Sequence, residues 1–77
     1  MKVKVLLFGV LMSESGKQII EIEGVKTILD LKEKLEKKFP IFSEYQYQIF
    51  VNHEQAQEGK VLKSHDEIAL IPPFAGG

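Results

Sequence analysis

Thr27-Ile28-Leu29-Asp30-Leu31-Lys32-Glu33-Lys34-Leu35-Glu36-Lys37-Lys38-Phe39-Pro40 lies near the middle of the 77-residue chain and reads as one amphipathic helix. Thr27 and Asp30 form a capping-box-like start, in which each side chain accepts from the other's backbone N–H. Losing such a cap costs about 1 kcal/mol. Ile28, Leu31, Leu35 and Phe39 recur at spacings of three and four, which makes one apolar stripe. Lys32, Glu33, Lys34, Glu36, Lys37 and Lys38 occupy the opposite face. Glu33 and Lys37 stand at i, i+4 in the favourable order. Lysines crowd the last turn, where the helix dipole favours cations, and Pro40 stops the helix.

Strand patterns flank the helix. Lys2 to Phe8 alternates, with Val3, Val5 and Leu7 facing one way and Lys2, Lys4, Leu6 and Phe8 the other. Met12-Ser13-Glu14-Ser15-Gly16 is polar and ends in glycine, so it is expected to be a hairpin loop. Lys17 to Glu23 alternates again, with Ile20 and Ile22 inward, and Gly24 ends that strand. Ile19 is apolar on the outward side. Beyond the helix, Ile41 to Tyr45 is expected as loop. Gln46 to Asn52 alternates, with Tyr47, Ile49 and Val51 inward and Phe50 outward. His53 to Gly59 reads as polar loop, Val61-Leu62 as a short edge strand, and Ser64 to Glu67 as a turn. Ile68 to Ile71 is the last strand, with Ile68 and Leu70 inward.

Two strands, one helix and two or three further strands in so short a chain imply an α+β roll, a mixed sheet with one main helix on one face. The first and last strands, both apolar, are expected to be parallel central neighbours, the β-grasp (ubiquitin-like) arrangement. The reading divides the chain into a globular domain, 1–71, and a flexible C-terminal tail, 72–77.

That tail is Pro72-Pro73-Phe74-Ala75-Gly76-Gly77. A glycine pair carries no side chain and passes through a channel that any Cβ would block. Two prolines fix φ and stiffen the base of the tail, which lowers the ordering entropy lost on docking. The pattern is that of a tail built for insertion into another protein, with the Gly77 carboxylate as the presented group. The bland alternative is a frayed or engineered end.

Composition narrows the function classes. Hydrophobic residues make up 44% and charged residues 27%, the balance of a folded domain. Net charge is −1 and all ten basic residues are lysine, which argues against nucleic-acid recognition, where bidentate arginine contacts are common. No apolar run reaches membrane-spanning length and no signal peptide is evident, so a cytoplasmic location is expected. The chain has no cysteine, which excludes a disulfide, a thiolate metal site and a cysteine nucleophile within it.

Other candidate sites are weaker. Ser64-His65-Asp66 holds triad residue types, but adjacent residues do not converge as a triad does. His53 and Glu54 fall short of a metal ligand set. The lysine-rich helix face is interleaved with glutamate and reads as solvated. Leu6, Phe8, Phe50, Ala69 and Ile71 are of more interest. If their strands are neighbours, these outward residues form one apolar patch leading into the tail, as a partner-binding surface requires.

The run Lys2-Val3-Lys4-Val5-Leu6-Leu7-Phe8-Gly9, the strand end Phe50-Val51-Asn52-His53-Glu54, and Asp66-Glu67-Ile68-Ala69-Leu70-Ile71-Pro72-Pro73-Phe74-Ala75-Gly76-Gly77 together resemble the MoaD family. Its members are ubiquitin-like sulfur carriers, the small subunit of molybdopterin synthase. Many carry a basic residue in the loop after the first strand, near which this chain has Met12. The resemblance implies that ATP, used by a MoeB-like adenylyltransferase, converts Gly77 to an acyl adenylate and that sulfur then replaces AMP to give a thiocarboxylate. The tail would enter a MoaE-like large subunit, in a heterotetramer built on a large-subunit dimer, and donate sulfur for the dithiolene of molybdopterin. Gly76 would give clearance, with Ala75, Phe74, Pro73 and Pro72 completing the inserted segment. No cofactor or metal is expected on this chain. The alternatives are a ubiquitin-like modifier conjugated through Gly77, and a carrier for thiamine, cysteine or tRNA thiolation.

Overall fold

Alternating side chains put one row of each strand into a shared core. In the computed structural model, which describes residues 2–73, the strands are β1 (Lys2–Leu7), β2 (Ile19–Glu23), β3 (Gln48–Val51), β4 (Glu54–Gln55) and β5 (Glu67–Ile71). They form one mixed sheet in the order β2-β1-β5-β3-β4. β1 and β5 lie side by side and parallel at its centre, with Val5 opposite Ile68. β2 is antiparallel to β1, and β3 is antiparallel to β5. Val3, Val5, Leu7, Ile20, Ile22, Ile49, Val51, Ile68 and Leu70 are buried, so the strand phases follow the alternation.

Helix α1 (Gly9–Ser15) follows β1 and α2 (Ile28–Lys38) follows β2. The α2 capping box is formed: Thr27 Oγ1 accepts from Asp30 N at 3.2 Å, and Asp30 Oδ2 accepts from Thr27 N at 3.2 Å. Ile28, Leu31 and Leu35 are buried against the sheet, and Phe39 caps the C-terminus.

Four local readings need correction. Residues 12–16 are not a hairpin loop. Residues 12–15 complete α1, whose two turns carry the fully buried Leu11 into the core. Gly16 then closes the helix at φ +73°, a left-handed conformation that glycine adopts without strain. Met12 is partly buried against the core, so it is not a surface-loop residue. Among the described residues α1 thus joins the main helix, α2. Residues 41–45 are not simple loop: Pro40–Glu44 is a 3₁₀ helix that buries Phe42, whose ring stacks on Phe39 at 5.1 Å. Residues 54 and 55 form the edge strand β4 instead of polar loop. Val61 makes only an isolated bridge to Thr27, because the chain here runs beside the start of α2 rather than along the sheet, while Leu62 is buried.

At the other end, Pro72 is buried and Pro73 is exposed, so the packed body includes the first tail proline. The roles expected of Phe74, Ala75, Gly76 and Gly77 lie outside the described residues.

Candidate functional site

Leu11 of α1 and Ile28, Leu31 and Leu35 of α2 are buried in the same core, and the described residues leave the opposite sheet face open. Strand register assembles that face. Leu6 stands opposite Ile19 on one side and Ala69 on the other. Ala69 stands opposite Phe50, and Phe50 opposite Gln55. Directly paired residues share a face, so Ile19, Leu6, Ala69, Phe50 and Gln55 form one row across all five strands. Two residues along β5, Ile71 pairs with Gln48. Phe8 stands two residues beyond Leu6 at the end of β1. A shallow depression of about 260 Å³ is lined by Leu6, Phe8, Phe50, His53, Glu67, Ala69 and Ile71.

Thus the structure brings together all five outward apolars singled out from the sequence. It adds Ile19, 53% exposed and in the same row, whose signal was an apolar residue on the outward phase of its strand. Phe8 is 44% exposed, a large apolar surface without cover among the described residues. The other end of the face is charged. Lys4 pairs with Glu21 and Glu67 in register, and Lys2 Nζ lies 3.6 Å from Glu23 and 3.9 Å from Glu21. These exposed pairs contribute little to stability, but they confine the apolar area to the end where β5 passes into Pro72.

The base of the tail is held closely. Gly9 has φ +56°, and a Cβ built there would lie 3.1 Å from Pro72 Cγ. On the far side of β5 a cleft of about 530 Å³ is lined by Gln46, Tyr47, Gln48, Ile71, Pro72 and Pro73. Tyr47 donates to Glu36 Oε2 at 2.8 Å, tying β3 to α2. Burial, and then this bond to a carboxylate, raise the Tyr47 hydroxyl pKa well above its usual range, so it remains a donor.

One polar assembly fixes the opposite end of β5. Asp66 Oδ2 accepts from Lys63 N at 2.7 Å and Oδ1 accepts from Asn52 Nδ2 at 2.9 Å. Asn52 Oδ1 in turn accepts from Glu67 N at 3.0 Å. The Lys63 backbone bond is the largest influence, and with the Asn52 bond it holds the buried Asp66 carboxyl below the ordinary carboxylate range despite desolvation. Asn52, His53 and His65 all have positive φ. The assembly therefore stabilises two tight turns and sets the start of β5 against the end of β3. From the sequence alone, Asp66 belongs to a plain turn. Its spacing from Asn52 across the chain carried no signal.

Ser64-His65-Asp66 has no triad geometry to offer, since both Asp66 oxygens are engaged by Lys63 N and Asn52. Among the described residues, no three His, Cys, Asp or Glu side chains gather as metal ligands would. The α2 lysines make local contacts: Lys32 bonds Glu58 at 3.1 Å, and Lys34 donates to the Glu23 carbonyl. No helix among the described residues is long and apolar enough to cross a membrane.

The model of the ThiS family matches residues 5–77. The chain belongs to the ThiS family. Among curated proteins it is 32% identical to the molybdopterin synthase sulfur carrier subunit of Mycobacterium tuberculosis, over 99% of this chain and 98% of that protein. Among solved structures it superposes on SAMP1 of Haloferax volcanii with a TM-score of 0.89, over 100% of both chains at 24% identity, a likeness of fold. It also superposes on a chain of the complex of subunits 1 and 2 of molybdopterin-converting factor from Helicobacter pylori, with a TM-score of 0.75 at 26% identity over 100% of both chains. The ubiquitin-like β-grasp expected from the strand order is thus the fold of this ThiS-family chain.

Proposed function

We propose that this ThiS-family chain is the sulfur carrier, the small subunit, of molybdopterin synthase. The observation that carries the reading is the end-to-end match, at 32% identity, to the mycobacterial sulfur carrier subunit. The open apolar face, which leads into the Pro72-Pro73 base of the tail, gives it a physical basis.

A carboxylate does not exchange oxygen for sulfur unaided, because oxide is a poor leaving group. In the first step a Gly77 carboxylate oxygen attacks the α-phosphorus of ATP, and pyrophosphate leaves. A sulfur nucleophile at the oxidation level of sulfide then attacks the acyl carbon, AMP leaves, and a thiocarboxylate remains. The catalytic groups and the ATP site belong to a MoeB-like adenylyltransferase. This chain contributes the reacting terminus, clearance at Gly76, and docking surface. The sulfurated tail next enters a large subunit of the kind joined to its partner in the Helicobacter complex. Leu6, Phe8, Phe50, Ala69 and Ile71 meet that partner, in a heterotetramer built on a large-subunit dimer. A dithiolene holds two sulfurs, so each product needs two deliveries.

The test is the intact mass of the chain purified from its native host, followed by identification of what it binds. The reading predicts a fraction heavier by the replacement of one oxygen by one sulfur, and co-purification of a large subunit. A ladder of isopeptide-linked targets without a thiocarboxylate would overturn it in favour of a ubiquitin-like modifier. A thiocarboxylate with a thiamine, cysteine or tRNA-thiolation partner would keep the carrier and replace the pathway.

A further inference from the structure

The contact between Gly9 and Pro72 joins two places that lie 63 positions apart in the chain. β1 and β5 are parallel, so the residues leaving each strand emerge at the same end of the sheet. Gly9 follows β1 and opens α1, and Pro72 follows β5 and opens the tail. Gly9 sits at φ +56°, where L side chains are strained, and a Cβ there would press on the Pro72 ring, with Cγ 3.1 Å and Cδ 3.9 Å from the ideal Cβ position, so the ring would have to give by a few tenths of an ångström. Pro72 is buried whereas Pro73 is exposed. A proline has one fixed φ, so a ring held in place also fixes the direction in which the chain continues.

We propose that Gly9 is a positioning residue for sulfur transfer: by leaving a seat for the Pro72 ring, it sets the direction in which the tail leaves the body. The proposal rests on the sulfur-carrier reading for its functional consequence and on the Gly9–Pro72 geometry for its structural one. Gly9 acts through Pro72, the first residue of the tail. A misplacement of about 1 Å remote from the chemistry is enough to cost about 100-fold in rate.

The test is a double-mutant cycle in the reconstituted carrier–large-subunit complex. It uses Gly9→Ala, Pro72→Ala and the two combined, each loaded chemically as the thiocarboxylate. Gly9→Ala should slow single-turnover transfer by about tenfold or more while the Kd for the large subunit changes less than about threefold, because the docking face is untouched. Removing the ring removes what the new Cβ strikes and leaves only the backbone strain at φ +56°, so adding Gly9→Ala to Pro72→Ala should slow transfer far less than adding it to the parent. Rate losses that multiply in the double variant, or a Gly9→Ala chain that transfers like the parent, would overturn the proposal. Nuclear Overhauser contacts between the Gly9 α-protons and the Pro72 ring give a readout independent of activity. They should be present in the parent and lost in Gly9→Ala, with core amide shifts preserved. Their absence from the parent overturns the proposal by itself. If the parent shows the contacts but its thiocarboxylate transfers no sulfur, the sulfur-carrier reading falls and the positioning role for that reaction falls with it.

Discussion

Phe50 and Val51 are neighbours in the chain with opposite duties. Val51 is 4% exposed in the core, whereas Phe50 lines the open-face depression. Burying a phenylalanine at an interface contributes about 1.5–3 kcal/mol. Phe50→Asp should therefore weaken large-subunit binding at least about tenfold, the factor that about 1.4 kcal/mol produces, with a small change in melting temperature. Val51→Asp places an unpaired charge in the core and should unfold the domain. Calorimetry and circular dichroism on both variants check this, and the reverse pattern would turn the proposed docking face into the core. Asp66 makes a second residue-scale case. Its folded pKa is depressed, so its ionised form contributes stability above the ordinary carboxylate value of 3.8, and this is lost as pH falls through the folded value. Asp66→Ala should cost about 1–3 kcal/mol near neutrality. Its stability difference from the parent should shrink below pH 3.8 in a urea series at stepped pH, and a difference that widens there would contradict the assignment.

At the scale of elements, the alternating strands and α2 were legible because each repeats its signal. Val3, Val5 and Leu7 mark a period of two, and Ile28, Leu31 and Leu35 mark the helical stripe, so strand phase and the open-face residues followed. Three elements lacked that repetition. α1 has seven residues and a single fully buried one, Leu11, followed by Met-Ser-Glu-Ser-Gly, whose polar end is a composition shared with turns. The Pro40–Glu44 helix has no 3.6-residue period, yet it buries Phe42 completely. β4 has two residues and is defined by its partner rather than by its own pattern. The site was legible in the same measure: the outward apolars came from strand phase, while the seat at Gly9 depended on a contact between distant residues. Leu11→Ala should cost about 2–5 kcal/mol, as a cavity at a packed position does. Thr27→Ala should cost about 1 kcal/mol through loss of the capping bond. Urea titration of the Leu11 variant distinguishes an α1 that is integral to the core from one that merely connects strands, for which that loss would be small, while the Thr27 variant reports on the cap of α2.

At the scale of the whole molecule, the tail starts from a strand that is held on every side. β5 is flanked on both sides by hydrogen-bonded strands, held at its start by Asn52 and Asp66, and followed by a proline seated on Gly9. The apolar half of the open face lies at the same end. A partner that covers that face also meets the start of the tail, which is the economy a carrier needs: one surface for docking and one terminus for chemistry. On the proposed insertion of the tail, Gly76→Val should lower transfer far more than docking, since a branched side chain would block a channel that admits glycine. The most direct measurement compares the native chain with the same chain extended by one residue beyond Gly77. Both are incubated with ATP, the adenylyltransferase and isotopically labelled sulfide, then with the large subunit and the pterin precursor. The native chain should acquire labelled sulfur at Gly77 and pass it to the product. The extended chain should stay folded, bind the large subunit and carry no label. Labelled product formed at the native rate from the extended chain would contradict the account.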